Sequence, residues 1–264
     1  MDVNVLPDAN SVASSASEAS ATRVTAQSEA NPRVRASLWW PFALISSAVF
    51  LVSLDATAVV AAFAALRADF GGASLASLSW TLNAYTVVYA ALLVPAGRWA
   101  DLRGRKIVFR QGLALFTVAS CLCAFARGID ALILSRALQA VGAALLTPAA
   151  LALVLNAFPI HKRAAAVGLM TAVGGFAAAV GPALASWIIQ NTSWRWVFLI
   201  NAPIGVASWF LSRNRLSEST SPDTGARPDG VGIGLLATGF AGLTLAIIQS
   251  ARWGLVTGSS AKWT

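Results

Sequence analysis

Two ionisable side chains lie deep in apolar sequence: Asp55, in LDATAVV at 54–60, and Arg136, in SRALQAVGAALLTPA starting at Ser135. Inserting either at the centre of a bilayer costs about 2.5 to 3.5 kcal/mol, so residues of this kind are functional candidates by default. At 1.5 Å per helical residue, Asp55 falls about 18 Å below Arg67 and Gln139 about 13 Å below Asp130, which brings Asp55, Arg136 and Gln139 to similar depths. Burial disfavours a charged carboxylate and a guanidinium beside it favours one. Such a pair exchanges a proton: bound when the two groups separate, released when they meet. A static buried ion pair that fixes helix packing is the alternative.

A second concentration of chemistry is GRWADLRGRK, residues 97–106, with five charged side chains in a chain that is 11% charged overall. Gly97 and Gly104 are expected to supply positive φ for a tight turn between two helices. Asp101 is expected to accept backbone N–H groups at the start of the following helix. Arg103, Arg105 and Lys106 then pair with Asp101 or with lipid phosphate. Farther along, Trp80, Tyr85 and Tyr89 are positioned to stack on an aromatic cation, or to serve as interfacial and packing residues. Gly168, Ala172, Gly175, Ala179, Pro182 and Ser186 form a stripe of small residues at helical spacing that predicts close helix approach, and Gly181–Pro182 predicts a kink or hinge.

Several signals point away from other chemistries. GVGIG at 230–234 opens an apolar span without a preceding strand or acidic partner, so it does not read as a phosphate loop. His161 is the only histidine and sits beside Lys162 and Arg163, and the two cysteines, Cys121 and Cys123, fall within one apolar segment. No metal or cofactor is expected, and no group of nucleophile and base suggests an enzyme. The net charge of +8 is scattered in short clusters rather than gathered on one face, which argues against nucleic acid as a partner.

The elements that must position these residues are membrane helices. The chain has 264 residues, 57% of them hydrophobic, with ten Trp. About 20 apolar residues cross a bilayer, and seven segments qualify: 39–65, 79–97, 107–126, 131–157, 164–189, 196–212 and 231–250. Lys and Arg concentrate in alternate connections, including 97–106 and Lys162–Arg163, so the positive-inside rule places those connections and the N-terminus in the cytoplasm. Residues 1–37, rich in Ala and Ser with four acidic residues, read as a disordered cytoplasmic tail. Trp39, Trp40, Trp80, Trp187, Trp194 and Trp196 fall near span ends, as an aromatic belt does.

Gly97, Asp101, Gly104, Arg105 and Lys106, in the pattern G-x-x-x-D-x-x-G-R-K, resemble the loop signature of the major facilitator superfamily of secondary transporters; Leu102 stands where a basic residue is usual. LDATAVV is similar to the L-D-x-T signature of its fourteen-span drug:proton antiporters, Arg136 and Gln139 to their R-x-x-Q-G signature with Ala140 in place of Gly, and GGFAAAVGPALAS to the antiporter signature through Gly181 and Pro182. WRWVFLINAPIG, residues 194–205, resembles the start of the sixth span.

The resemblance implies an all-α integral membrane protein: a six-helix N-terminal bundle over 38–212, a cytoplasmic loop over 213–230, a seventh helix over 231–250 and a truncated extracytoplasmic end over 251–264. It implies proton-coupled efflux of drugs or other small amphipathic molecules across the cell membrane. Asp55, Arg136 and Gln139 are then the coupling residues, and 97–106 is a gating loop that meets a second bundle. With that bundle outside the chain, the expectation is a truncated transporter that is active only in complete form. The alternative is a membrane-embedded partial protein that acts through a partner chain or is inactive.

Overall fold

The computed structural model describes residues 32–216, 218 and 230–249. Two units are distinguished, Met1–Pro41 and Phe42–Thr264; the described part of the first is the opening of helix α1, and the second holds the helix bundle. The described residues form eight helices: α1 (Pro32–Asp69), α2 (Leu75–Arg103), α3 (Arg105–Ala124), α4 (Ile129–Ala157), α5 (Ile160–Asn191), α6 (Arg195–Leu199), α7 (Asn201–Arg215) and α8 (Gly230–Gln249). The first five are long and apolar enough to cross a membrane. Helix α1 begins at Pro32, inside the stretch expected to be a disordered tail; residues 1–31, 217, 219–229 and 250–264, which fall in the expected tail, loop, seventh helix and terminal segment, lie outside the described residues.

Local chemistry explains most boundaries. Ser74 caps α2 by accepting the Ser77 N–H at 3.1 Å. Helix α4 stops at Ala157 because Phe158 precedes a proline: Phe158 is extended (φ −107°, ψ 140°), and Pro159 then stands just before α5. The expected sixth span is realised as two consecutive helices, α6 and α7, which meet at Ile200. Ile200 itself keeps helical angles (φ −60°, ψ −24°), and Pro203 removes the N–H that the Leu199 carbonyl would otherwise accept.

Helices α3 and α4 are the most enclosed of the five long helices and lie tightly along one another. A Cβ on Gly142 would stand 2.5 Å from the Phe116 backbone nitrogen, and one on Gly112 would stand 3.0 Å from the Gly142 carbonyl oxygen. Two glycines thus let the helix backbones touch, the mode of association that membrane helices use when lipid removes the hydrophobic drive between them. The outer surface is apolar: Leu134, Phe176 and Phe210 are each more than 60% exposed. Helix α7 is correspondingly inverted relative to a soluble helix, with Asn201, Gly205, Ser208 and Ser212 buried while Val206, Phe210 and Leu211 face out.

The interior has two large apolar clusters. One gathers Ile45 and Leu51 of α1, Phe109 and Phe116 of α3, and Leu146 and Val154 of α4. The other gathers Val59 and Leu66 of α1, Cys123 of α3, Leu132 of α4, Trp194, and Phe198 of α6. Along α1, α3 and α4 the two clusters are separated by one layer of polar side chains.

Candidate functional site

That layer holds Asp55, Ser120, Arg136, Gln139 and Asn201, all buried. Oδ2 of Asp55 accepts a hydrogen bond from Nη1 of Arg136 at 2.5 Å, and both side chains are at most 1% exposed. Oδ1 accepts from Nε2 of Gln139 at 2.9 Å and from Nδ2 of Asn201 at 3.1 Å. Arg136 is held in turn: Nη1 also donates to Oε1 of Gln139 at 2.6 Å, and Nε donates to the Thr81 carbonyl at 3.3 Å. Ser120 accepts from Gln139 at 3.1 Å and Asn201 at 2.9 Å, and its hydroxyl donates to the Phe198 carbonyl at 3.0 Å. One carboxylate of α1 therefore receives three donors, two from α4 and one from α7.

The three residues singled out by depth in the sequence meet here. Asn201 and Ser120 were not singled out. Both are neutral, and a serine or asparagine in an apolar run usually bonds its own helix or a neighbour without consequence; the available signal was that Asn201 is the sole amide side chain in WVFLINAPIG.

One side of the layer is open. A cavity of about 380 Å³ between α1 and α2 is lined by Ser53, Leu82, Tyr85, Thr86, Tyr89 and Arg136, among others. The Arg136 guanidinium lies over the Tyr85 ring at 4.2 Å, and the Tyr85 and Tyr89 rings are nearly parallel (7°) with centroids 6.0 Å apart. The Tyr89 hydroxyl donates to Thr147 at 3.1 Å, whereas the Tyr85 hydroxyl is buried without a hydrogen-bond partner. Trp80, expected beside the two tyrosines, does not line the cavity. Of the expected belt, Trp187 and Trp196 are exposed, but Trp194 is 3% exposed: its indole N–H donates to Asp69 at 2.9 Å and its ring packs on Phe70 and Phe198.

The junction of α2 and α3 differs from expectation in two ways. Only Gly104 has positive φ (104°) among the described glycines, and it is the whole connection. Gly97 is helical and faces Pro148 of α4, which a Cβ would meet at 3.5 Å, an ordinary contact. Asp101 does not cap α3. It belongs to the last turn of α2 and pairs with Arg105 at 2.8 Å. The N–H at the α3 start, that of Lys106, is taken by Oε1 of Glu218 at 3.1 Å, and the Lys106 ammonium donates to the Arg213 carbonyl at the end of α7 at 2.9 Å. Arg103 stacks over Trp99 at 4.8 Å.

On α5 the small residues divide by face. Gly168, Ala172, Gly175, Ala179 and Pro182 are exposed, so the stripe named in the sequence does not make the close contact inside this bundle. The adjacent stripe does: a Cβ on Gly174 would lie 3.1 Å from the Ser53 hydroxyl oxygen, and one on Gly181 would lie 3.2 Å from the Leu54 carbonyl oxygen, both of α1. The helix runs without interruption through Pro182.

The family model described as the Major Facilitator Superfamily matches residues 45–261. The chain belongs to the Major Facilitator Superfamily. Relatives within the superfamily include the multidrug transporter MdtP of Bacillus subtilis, 36% identical over 63% of this chain and 30% of its own length. The "Probable actinorhodin transporter" of Streptomyces coelicolor is 38% identical over 85% and 39%. The cephamycin export protein CmcT of Amycolatopsis lactamdurans is 37% identical over 80% and 44%. The chain thus spans less than half the length of these relatives. The solved structure of a peptide transporter in complex with sulfate aligns over 86% of this chain and 47% of its own, with a TM-score of 0.62 at 14% identity, a likeness of fold. The superfamily is one of membrane transporters, not enzymes, and this chain is a multi-pass membrane protein of that fold.

Proposed function

We propose that this chain is one bundle of a proton-coupled exporter of small amphipathic molecules in the cell membrane, its N-terminus in the cytoplasm. Asp55 is the proton site, Arg136 the counter-ion whose departure allows protonation, and Gln139 with Asn201 the groups that orient the carboxylate. One observation carries the reading: a fully buried carboxylate–guanidinium pair whose guanidinium is also a wall of an open cavity. To take up a proton, Asp55 must lose at least its bond from Arg136, and Arg136 moves only by rearranging the cavity wall. Proton occupancy and cavity shape are therefore coupled through one side chain. A proton moving down 100 mV supplies about 2.3 kcal/mol for such work. The name of the Amycolatopsis lactamdurans relative, a cephamycin export protein, supports the direction of transport.

We assign the complete cycle to this bundle together with a second one across the pathway, in the same polypeptide or in a partner chain, as the arrangement of two bundles about a central site requires. The exposed small-residue face of α5, with Pro182 at its end, and the 97–106 loop are the surfaces assigned to that contact. Reading the coding frame past the codon for Thr264 decides between the two sources. The coupling is tested on the transporter reconstituted in liposomes under an imposed pH gradient. Asp55→Asn is expected to abolish gradient-driven transport while leaving gradient-free exchange of substrate; full proton-driven transport by the variant would sink the assignment.

A further inference from the structure

The cavity beside Arg136 also has a chemical preference. Its described lining contains no Asp or Glu, and the nearest carboxylate, Asp55, is sealed behind Arg136 with no exposed side-chain surface. The charge that borders the cavity is that of the guanidinium. Arg136 commits Nε to the Thr81 carbonyl and Nη1 to Asp55 and Gln139, which leaves Nη2 with no acceptor among the described residues while its two neighbouring nitrogens fix its direction. Beside it, the Tyr85 hydroxyl is buried and unpartnered. A buried donor without an acceptor is costly, and a ligand oxygen relieves that cost. The parallel rings of Tyr85 and Tyr89 add an aromatic wall, and Val52, Val60 and Leu82 add apolar surface. A tyrosine face attracts cations, but the Tyr85 face is already covered by Arg136, so an incoming cation meets a positive charge instead of a free ring.

We infer that the α1–α2 cavity takes planar aromatic molecules bearing hydrogen-bond-accepting oxygens, such as a carboxylate, phenolate or quinone carbonyl, and disfavours aromatic cations. This rests on reading the cavity as the substrate site, and it replaces the aromatic cation that the tyrosines alone suggested. At about 380 Å³ the cavity lies toward the small end of the range for drug-sized ligands, roughly 300 to 1,000 Å³.

The test uses the full chain in nanodiscs of zwitterionic lipid and two probes that share one fluorescent ring system, anthracene-9-carboxylate and 9-(aminomethyl)anthracene, the second an ammonium at neutral pH. Fluorescence anisotropy, with empty nanodiscs subtracted, gives both affinities. The carboxylate is expected to bind about tenfold tighter or more, the size of a hydrogen bond to a charged group. Tyr85→Phe, which keeps the ring, is expected to cost the carboxylate about fivefold or more. Val60→Trp, which fills the open side, is expected to weaken both probes. An ammonium that binds as tightly as the carboxylate, a Tyr85→Phe variant with unchanged carboxylate affinity, or no binding of either probe each overturns the inference. Those outcomes leave the proton-coupling reading to its own experiment. Conversely, proton-driven transport that survives Asp55→Asn defeats the coupling and leaves the measured ligand preference standing.

Discussion

At the scale of single residues, the polar layer makes unequal demands on its members. Removing either partner of a buried ion pair strands the other and costs about 3 to 5 kcal/mol, whereas replacing both with apolar groups is often neutral or better. Asp55→Leu and Arg136→Leu are each expected to lower the thermal stability of the detergent-solubilised chain strongly, and the double variant to regain most of the loss. The pattern separates packing from function, because a double variant that regains stability still lacks the carboxylate that the proposed coupling needs. Asn201→Leu removes one of the three donors to Asp55 and is expected to cost about 1 to 3 kcal/mol, read by the same unfolding assay. Glycines divide just as sharply. Gly142→Ala puts a methyl group against the Phe116 backbone and is expected to cost about 1 to 3 kcal/mol. Gly175→Ala meets no atom within 4 Å and is expected to stabilise the helix by about 0.4 to 1 kcal/mol. A Gly175 variant less stable than a Gly142 variant would contradict the assigned α3–α4 contact.

At the scale of elements, the connection between α2 and α3 is the most exacting. One residue, at φ 104°, joins two long helices, and a Cβ there would meet Glu218 at 2.7 Å. Gly104→Ala is therefore expected to destabilise more than Gly97→Ala, whose Cβ would meet Pro148 at ordinary contact distance; equal effects in thermal unfolding would count against the single-residue turn. The same junction shows what can and cannot be read from sequence. Five helices were legible because 20 or more apolar residues have few other uses. The meeting of Asp55 with Arg136 and Gln139 was legible because helical rise converts residue number into depth. Gly97 was not, since a glycine that opens a turn and one that faces a neighbouring helix look alike in sequence. Nor was the capping of α3 by Glu218, which lies 112 residues beyond Lys106 and depends on how α7 packs. The division of the sixth span rests on Pro203, visible in the sequence but silent until the helix register is known.

At the scale of the whole molecule, the proposed orientation rests on charge. The described connections at 70–74 and 125–128 carry one basic residue between them, Arg127, while Arg103, Arg105 and Lys106 flank the α2–α3 junction and Lys162 and Arg163 open α5. In a background with Cys121 and Cys123 replaced by serine, Gly72→Cys is expected to react with a membrane-impermeant maleimide from outside intact cells. Ile160→Cys, at the exposed start of α5, is expected to react only after permeabilisation. The reverse pattern would invert the topology. At the end of the bundle that this reading places outside, Arg195 and Trp194 both reach Asp69 and tie the end of α1 to α6. The ion pair itself is about 40% exposed and contributes little, about 0 to 1 kcal/mol, so the buried indole is the main anchor.

The two apolar clusters that bracket the polar layer have a further consequence for traffic. Leu51 and Phe116 lie on one side of the layer, Val59, Cys123 and Phe198 on the other, so apolar side chains flank Asp55 along the length of the bundle. What remains is sideways, past Arg136 and through the cavity where a ligand would sit. On the proposed reading, proton and cargo would share that one side, and whichever stood there would bar the other, a geometry that suits exchange of the two rather than their passage together.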